Sequence, residues 1–307
     1  MRILTYLIAA IALTGAAAPA VDPAILGWAY IVARTPLLPG GWDAATPRSL
    51  PGSTASFTDA QLHGLTRAID WFPARHAPLP KAVAGAGGIP ACGFCHLPGG
   101  EGRVENASLA GLPASYIRQQ VAAFADGTRT SPVPGYFPSA TMAMVAQRVP
   151  PAEIAAAAEY FAHLRYTPRI RVVEAATIPA MTAHDFILSR APAGGSEAIA
   201  GRIVETPDDI EAFEKRDPRG TSTAYVPPGS LAAGAAVVER VGCVNCHGTG
   251  MKLWGAGRSP TYIVRQLLAF QTGPRHDVEA APMTAVAEQL SPADMVAVAA
   301  YWGSLKP

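Results

Sequence analysis

Charge is scarce in this chain of 307 residues. Asp, Glu, Lys and Arg make up 15% of it, 24 basic against 23 acidic, for a formal net charge of +1. With half of the residues apolar, so little charge excludes a solvated, disordered coil. The missing basic excess excludes a nucleic-acid binder, which must neutralise phosphates. A long membrane-spanning run is also missing at the start: Ile3 to Leu13 is too short to cross a bilayer. Flanked by Arg2 and by Ala18-Pro19-Ala20, that run instead has the layout of a secretory leader over residues 1–20, cleaved near Ala20. Pro19, Asp22 and Pro23 separate it from the next apolar stretch, Ala24 to Ala33, and argue against an uncleaved membrane anchor. Export places the chain in the periplasm, an oxidising compartment where disulfides are the ordinary expectation. Yet cysteine is as scarce as charge, at four residues.

All four cysteines fall into two identical frames, Cys92-Gly93-Phe94-Cys95-His96 and Cys243-Val244-Asn245-Cys246-His247. C-x-x-C-H is the attachment signature of c-type haem. Two thiols one helical turn apart reach the two vinyl groups of one porphyrin, and the imidazole that follows is aimed at its iron. A thioredoxin-like pair needs a βαβ context and no matching His. A zinc ribbon uses C-x-x-C pairs much closer together. Two local disulfides leave the duplicated His unexplained. The frames therefore consume every thiol and leave none to staple the fold.

The chain also repeats around these frames. Gly111 to Arg129 aligns without a gap to Gly257 to Arg275, with identities at Tyr116/Tyr262, Ile117/Ile263, Gln120/Gln266, Ala123/Ala269, Phe124/Phe270, Gly127/Gly273 and Arg129/Arg275. Tyr, Gln and Phe recur at four-residue spacing, one face of a helix. A second repeat matches Glu153–Leu164 to Asp294–Leu305, each copy opening after a proline (Pro151, Pro292), where the missing N–H costs nothing. Each copy thus reads as haem motif, helix, loop, helix. Between the two helices, Met142 and Met283 stand at the same offset before the second helix. A thioether is a soft iron ligand that suits the position opposite His, and His/Met ligation raises the reduction potential. Methionines also fill core gaps, and Met144 competes with Met142 for the first site.

With these motifs in place, the sequence resembles a tandem di-haem class I cytochrome c of the cytochrome c4/c553 type. The resemblance covers about 90–165 and 226–307. It implies two covalently bound haem c groups, with Cys92, Cys95, Cys243 and Cys246 as thioether anchors, His96 and His247 as proximal ligands, and Met142 and Met283 as distal ligands. It implies a periplasmic carrier of single electrons, not an enzyme. Its partners would be redox proteins: a dehydrogenase as donor, an oxidase or reductase as acceptor, with docking to a membrane complex left open. Two alternatives stand beside it, a di-haem peroxidase with one open iron and the cytochrome subunit of an exported dehydrogenase. Family lobes carry a Pro whose carbonyl accepts from the proximal His; Ala107 and Leu253 occupy those places here.

The resulting expectation is an all-α fold of two class I cytochrome c-like haem lobes, 81–165 and 226–307. Joined to them are a helical or irregular N-terminal extension at 21–80 and a small β-containing inter-lobe segment at 166–225. In the extension, which holds Trp28, Trp42 and Trp71, Asp59 to Trp71 reads as a helix with Leu62, Leu65 and Ile69 on one face. Trp71 to Pro80 reads as an irregular loop, packed over lobe one or offered to a partner. In the inter-lobe segment, Ile170–Glu174 and Arg202–Glu205 are β-branched runs expected to form an antiparallel pair. Asp208–Lys215 reads as a short helix, Tyr225–Gly229 as a linker, and Ser230 as a helix cap. His63, His76, His163 and His184 read as surface or satisfied polar residues, and His276 as an alternative axial ligand to test. Arg129 and Arg275 would either neutralise haem propionates or end their helices in solvent. Tyr116 and Tyr262 would pack near the haem edge with hydroxyls free for a propionate.

Overall fold

Each copy of the repeat builds its own helical core, and the segments outside the repeats are woven into both. The computed structural model describes residues 23–33, 45–184, 186–251 and 255–307; the leader at 1–20, Trp42 and Leu253 lie outside them. Helix α1 (Pro23–Ala29) buries Ile25, Ala29 and the following Tyr30 in the core of the C-terminal lobe. A two-residue antiparallel ladder of β1 (Pro47–Arg48) and β2 (Phe57–Thr58) leads into α2 (Asp59–His63). Thr58 and Gln61 form a capping box that starts α2.

The helix expected over 59–71 stops at His63. Gly64 takes an extended conformation at its end, and the backbone beyond finds partners elsewhere. The Ala68 N–H donates to Ala84 O at 2.9 Å, and Leu65 O accepts from the Ala91 N–H at 2.9 Å. Leu62, Ile69, Trp71 and Phe72 are nevertheless buried, in a small core with Phe57 and Phe94. The 71–80 loop therefore packs over lobe one, Trp71 and Phe72 against Phe94 of the first cysteine frame and Leu79 against the lobe's own core.

Lobe one comprises α3 (Lys81–Ala84), α4 (Cys92–Cys95), α5 (Ala114–Asp126), α6 (Phe137–Arg148) and α7 (Pro151–His163). Ala157, Ala158 and Phe161 of α7 pack with Ile117 of α5, the alanines letting the two helices approach closely. The loop expected between the repeated helices is itself helical. Pro138 sits in the first turn of α6, and Met142 stands on this helix.

The segment between the lobes carries β3 (Ile170–Glu174), β4 (Thr177–Pro179), β5 (Met181–His184), β6 (Ile187–Arg190), β7 (Ser196–Ala198), β8 (Val204–Pro207), α8 (Ile210–Glu214) and β9 (Ser222–Val226). The expected pairing of 170–174 with 202–205 does not form. Instead β9 lies between them, parallel to β3 and antiparallel to β8. Residues 225–229 are thus not simply a linker: the strand runs through Val226, and Thr223, Ala224 and Val226 are buried. Two antiparallel pairs, β4 with β7 and β5 with β6, complete the segment. An all-α description holds for the lobes alone. The short helix foreseen at 208–215 is present as α8, capped by the Asp209 carboxylate.

Lobe two comprises α9 (Ser230–Val241), α10 (Val244–His247), α11 (Pro260–Gln271), α12 (Ala281–Ala287) and α13 (Pro292–Ser304). Ser230 does not cap α9; Gly229, at φ +82°, makes the turn into it without a side-chain bond. Helices α9 and α13 cross so closely at Gly234 that a Cβ there would overlap the Ala297 carbonyl. Beneath the start of α11, buried Glu205 of β8 accepts from Ser259 Oγ at 2.7 Å and from the Thr261 N–H at 3.2 Å. Burial pushes this carboxyl above the usual range, against those two hydrogen bonds. Between its ordinary and its folded pKa, the folded chain holds a proton that the unfolded chain has released, so stability falls as pH rises through that window. Glu205→Gln keeps an acceptor for Ser259 and Thr261 and removes the titration. Thermal unfolding at pH 4 and pH 7 should therefore show the wild type losing ground to the variant as pH rises; parallel profiles would contradict this.

Candidate functional site

Each cysteine frame folds as a single helical turn. In lobe one the His96 N–H donates to Cys92 O at 2.9 Å, and the imidazole is buried. Its Nδ1 lies 2.7 Å from Ala107 O. A carbonyl can only accept, so the proton sits on Nδ1 and the Nε2 lone pair is left for a metal. Ala107 thus supplies the carbonyl that a proline supplies in the resemblance. Burial pushes the His96 pKa down, against the Ala107 bond, which favours the neutral, ligating form. Burial also pushes the Cys92 thiol up to about 12 and raises Cys95 and Cys243. A redox-active Cys-x-x-Cys pair lowers its thiol pKa; these shift the other way. In lobe two the His247 ring meets the indole of Trp302 edge-on, centroids 4.6 Å apart.

The proposed iron ligands of each lobe line a common cavity. His247 and Met283 border one of about 600 Å³, within the roughly 300–1,000 Å³ of cofactor clefts. His96 and Met142 border two adjoining cavities of about 160 and 60 Å³, the smaller of which also reaches Cys92 and Cys95. In lobe one, soft sulfur and neutral imidazole facing one apolar space beside two thiols fit a covalently held haem. In lobe two His247 and Met283 share one cavity, and the thiols of Cys243 and Cys246 lie on the motif turn that carries His247. Lobe one's walls close in further. Met144 borders none of these cavities; its sulfur accepts from Arg148 Nη1 at 3.6 Å. His276 borders none either, and its Nδ1 lies 2.8 Å from Gly273 O.

Both cavities are completed by the opposite lobe. Arg258, Tyr262, Arg265 and Gln266 of lobe two line the 160 Å³ cavity, and Tyr116 and Gln120 of lobe one line that of lobe two. The repeat explains this exchange. Arg129 donates to Gln120 Oε1 of its own lobe at 2.6 Å, and to Tyr262 OH at 2.9 Å and Gln266 Oε1 at 2.8 Å of the other. Arg275 mirrors it, donating to Gln266 Oε1 at 3.1 Å, Tyr116 OH at 3.2 Å and Gln120 Oε1 at 2.7 Å. Each guanidinium lies over the Phe of its own repeat, Arg129 over Phe124 at 4.7 Å and Arg275 over Phe270 at 4.2 Å. Each backbone N–H is held by the repeat alanine, Arg129 by Ala123 O and Arg275 by Ala269 O. Gly127 and Gly273, at φ +81° and +91°, make the turn that allows it.

Arg129 and Arg275 are therefore buried at the seam, not at solvated helix ends, and the hydroxyls of Tyr116 and Tyr262 are already engaged. Burial raises the Tyr262 pKa, but Arg129 and Arg275 outweigh it and hold it below its ordinary value. Two more buried arginines cross the seam, and the sequence reading missed both. Arg258 donates to Ser108 O and Ala110 O, each at 2.8 Å; Arg265 donates to Ala29 O and Val104 O, each at 3.3 Å. Neither recurs in the other repeat, so periodicity carried no signal. Of the remaining histidines, His63 pairs with Glu214 at 3.0 Å and His76 with Asp70 at 3.2 Å, while His184 is buried.

Arg129→Met strips one buried and two part-buried acceptors of a charged donor. At about 1.5–3 kcal/mol for each such bond, partly recovered by relaxation, it should cost about 3 kcal/mol in denaturant unfolding. Because Gln120 and Gln266 serve both arginines, each single change leaves them one guanidinium and relieves the repulsion between the two cations, so Arg129→Met with Arg275→Met should cost more than the sum of the single changes. Strict additivity would contradict the shared network.

No family model matches the chain. The cytochrome c-554(548) of Halomonas halodenitrificans is 39% identical over 83 residues, which are 25% of this chain and 96% of that protein. A thiosulfate dehydrogenase structure from Marichromatium purpuratum aligns at 26% identity and a TM-score of 0.46, over 79% of this chain; the chain spans 40% of that longer one. Cytochrome c4 structures from Acidithiobacillus ferrooxidans and Pseudomonas stutzeri align over 70% of this chain and 98% and 93% of theirs. Their identities are 22% and 18% and their TM-scores 0.45 and 0.44. At TM-scores below 0.5 none of these superpositions fixes the arrangement of the lobes. The near-complete match to a cytochrome about as long as one lobe does carry weight. Together with the Cys-x-x-Cys-His turns and the His/Met-lined cavities, it establishes that this chain belongs to the cytochrome c family.

Proposed function

We propose that the protein is a periplasmic di-haem electron carrier. One haem c would be held through Cys92 and Cys95 with His96 and Met142 as its iron ligands, the other through Cys243 and Cys246 with His247 and Met283. The observation that carries this reading is the placement of one His and one Met on a common cavity beside each motif. Bound there, each haem would supply a one-electron couple, whose potential Met/His ligation would raise. The chain's own residues do the rest. Ala107 O fixes the tautomer and orientation of His96, and apolar walls formed by Ile117, Val121 and Val145 exclude water from the lobe-one cavity. Arg129, Arg258, Arg265 and Arg275 are buried at the seam, and among the described residues none has a carboxylate within ion-pair distance. Four buried cations with neutral partners suit a cofactor that brings carboxylates of its own. Met142 is favoured over Met144 because it alone of the two faces the cavities.

Electron transfer of this kind needs no acid–base group. The partners would be redox proteins, a dehydrogenase as donor and an oxidase or reductase as acceptor. Export rests on the leader reading of residues 1–20. Among the described residues no helix is long and apolar enough to cross a membrane.

The mature protein should gain the mass of two haems and show, when oxidised, a methionine–iron charge-transfer band with no high-spin haem. Met142→Ala and Met283→Ala should each remove about half of that band, and Met144→Ala none of it. A high-spin haem with peroxide turnover, or loss of the band on replacing Met144, would refute the assignment.

A further inference from the structure

The two motif turns sit in different surroundings, and the difference centres on Arg216. This residue follows α8 in the inter-lobe segment and holds φ at +54°, a left-handed conformation that a residue with a side chain keeps only where its contacts over-determine it. Those contacts converge on the first motif. Arg216 Nη1 donates to Phe94 O at 2.8 Å and its Nε to Leu62 O at 3.0 Å. The guanidinium lies 3.4 Å from the centroid of the Phe94 ring. Phe94 is the third residue of the Cys92–Cys95 turn and is 2% exposed. Before it, Gly93 is packed so tightly that a Cβ would meet Val83 O at 2.7 Å and Ala68 Cβ at 2.9 Å.

Neighbouring charges are already paired. Arg103 lies 3.1 Å from Glu105, Glu214 lies 3.0 Å from His63, and Asp217 lies 2.7 Å from Arg219. Arg216 has two carbonyls and a ring face, and among the described residues no carboxylate within ion-pair distance. Burial pushes its pKa well down, but guanidinium starts so high that it remains a cation at neutral pH. Among the described residues lobe two has no counterpart. Asn245, which corresponds to Phe94, is exposed, and Val244 beside it is 41% exposed.

We propose that Arg216 is a positioning residue that sets a redox asymmetry between the lobes. Its fixed cation, held against the covalent seat on Cys92 and Cys95, disfavours the oxidised iron of lobe one, which carries one more positive charge than the reduced. In a partly buried site of reduced dielectric that penalty is not screened as it would be in water. Lobe one is then the electron sink of the pair. The proposal rests on the di-haem reading of the two motifs.

Spectroelectrochemical titration of the purified holoprotein tests it, with R216Q and R216K made both in the native chain and in a Met283→His background. The Met283→His change should move lobe two's couple far down and so identify lobe one's. R216Q should lower the reduced-to-oxidised ratio of lobe one at fixed potential about tenfold, equal to 59 mV for a one-electron couple. R216K keeps the charge and should hold that ratio within about threefold, and neither change should move lobe two. Equal shifts in R216Q and R216K, no shift in either, or an equal shift in both lobes would overturn the proposal. Should R216Q fail to mature, Phe94→Leu keeps the cation and removes the ring; a tenfold fall in that variant would overturn it as well. Failure of the underlying reading shows separately, as a single haem by mass or as a couple that ignores Met283→His.

Discussion

Two arginines buried across one seam are the constraint on which the rest of the structure depends. A guanidinium out of water must have acceptors for its donors, and two of them side by side oppose each other. Burial, and then Arg129's own charge, push the Arg275 pKa down. Neither lobe alone can supply the acceptors. Arg129 takes Gln120 from its own helix and Tyr262 and Gln266 from the other, and Arg275 does the reverse. The contact is self-complementary in the manner of a two-fold dimer interface, written here into one chain by a duplicated helix. Backbone bonds close it, from the Thr130 N–H to Pro274 O at 2.7 Å and from the His276 N–H to Thr128 O at 2.9 Å. Because α5 and α11 also wall the cavities, joining them through their polar faces turns each cavity toward the opposite lobe.

The symmetry is local. Around it the chain has placed segments that treat the lobes unequally. Helix α1 joins the core of lobe two, and Tyr30 reaches the lobe-one cavity, where its ring meets Tyr136 edge-on at 5.1 Å. The extension covers the first motif turn by packing Phe57, Leu62 and Trp71 in one core with its Phe94, and the turn after α8 clamps it through Arg216. Lobe two's motif turn has no such cover at Val244–Cys246. A duplicated lobe has thus acquired one enclosed and one exposed motif turn, and the redox asymmetry proposed for Arg216 rests on that difference.

How far all this could be read in the sequence follows from the range of each interaction. The Cys-x-x-Cys-His frames are legible because covalent attachment fixes their spacing within five residues. Helices α5, α7, α11 and α13 are legible because apolar periodicity is local. The identities Tyr116/Tyr262, Gln120/Gln266 and Arg129/Arg275 were visible too, but a repeat shows that residues recur, not whether they face solvent, cofactor or the other copy. The over-long helix at 59–71 failed because periodicity cannot see that Leu65 and Ala68 give their backbone bonds to Ala91 and Ala84. The strand pairing failed for the same reason: β9 runs directly into Pro227-Pro228, and its place between β3 and β8 is set by contacts distant in sequence. Arg216 was out of reach altogether, since its partners Leu62 and Phe94 lie more than a hundred positions away.

The central proposal is that each lobe holds one haem and that the seam, whose residues line both cavities, makes the pair one internal relay. Electron redistribution after photoreduction by a single electron tests it most directly. The account predicts an equilibration phase whose rate is the same at every protein concentration, because the transfer stays within one molecule. A phase whose rate rises in proportion to protein concentration would mean that electrons pass only between molecules, and would contradict the account.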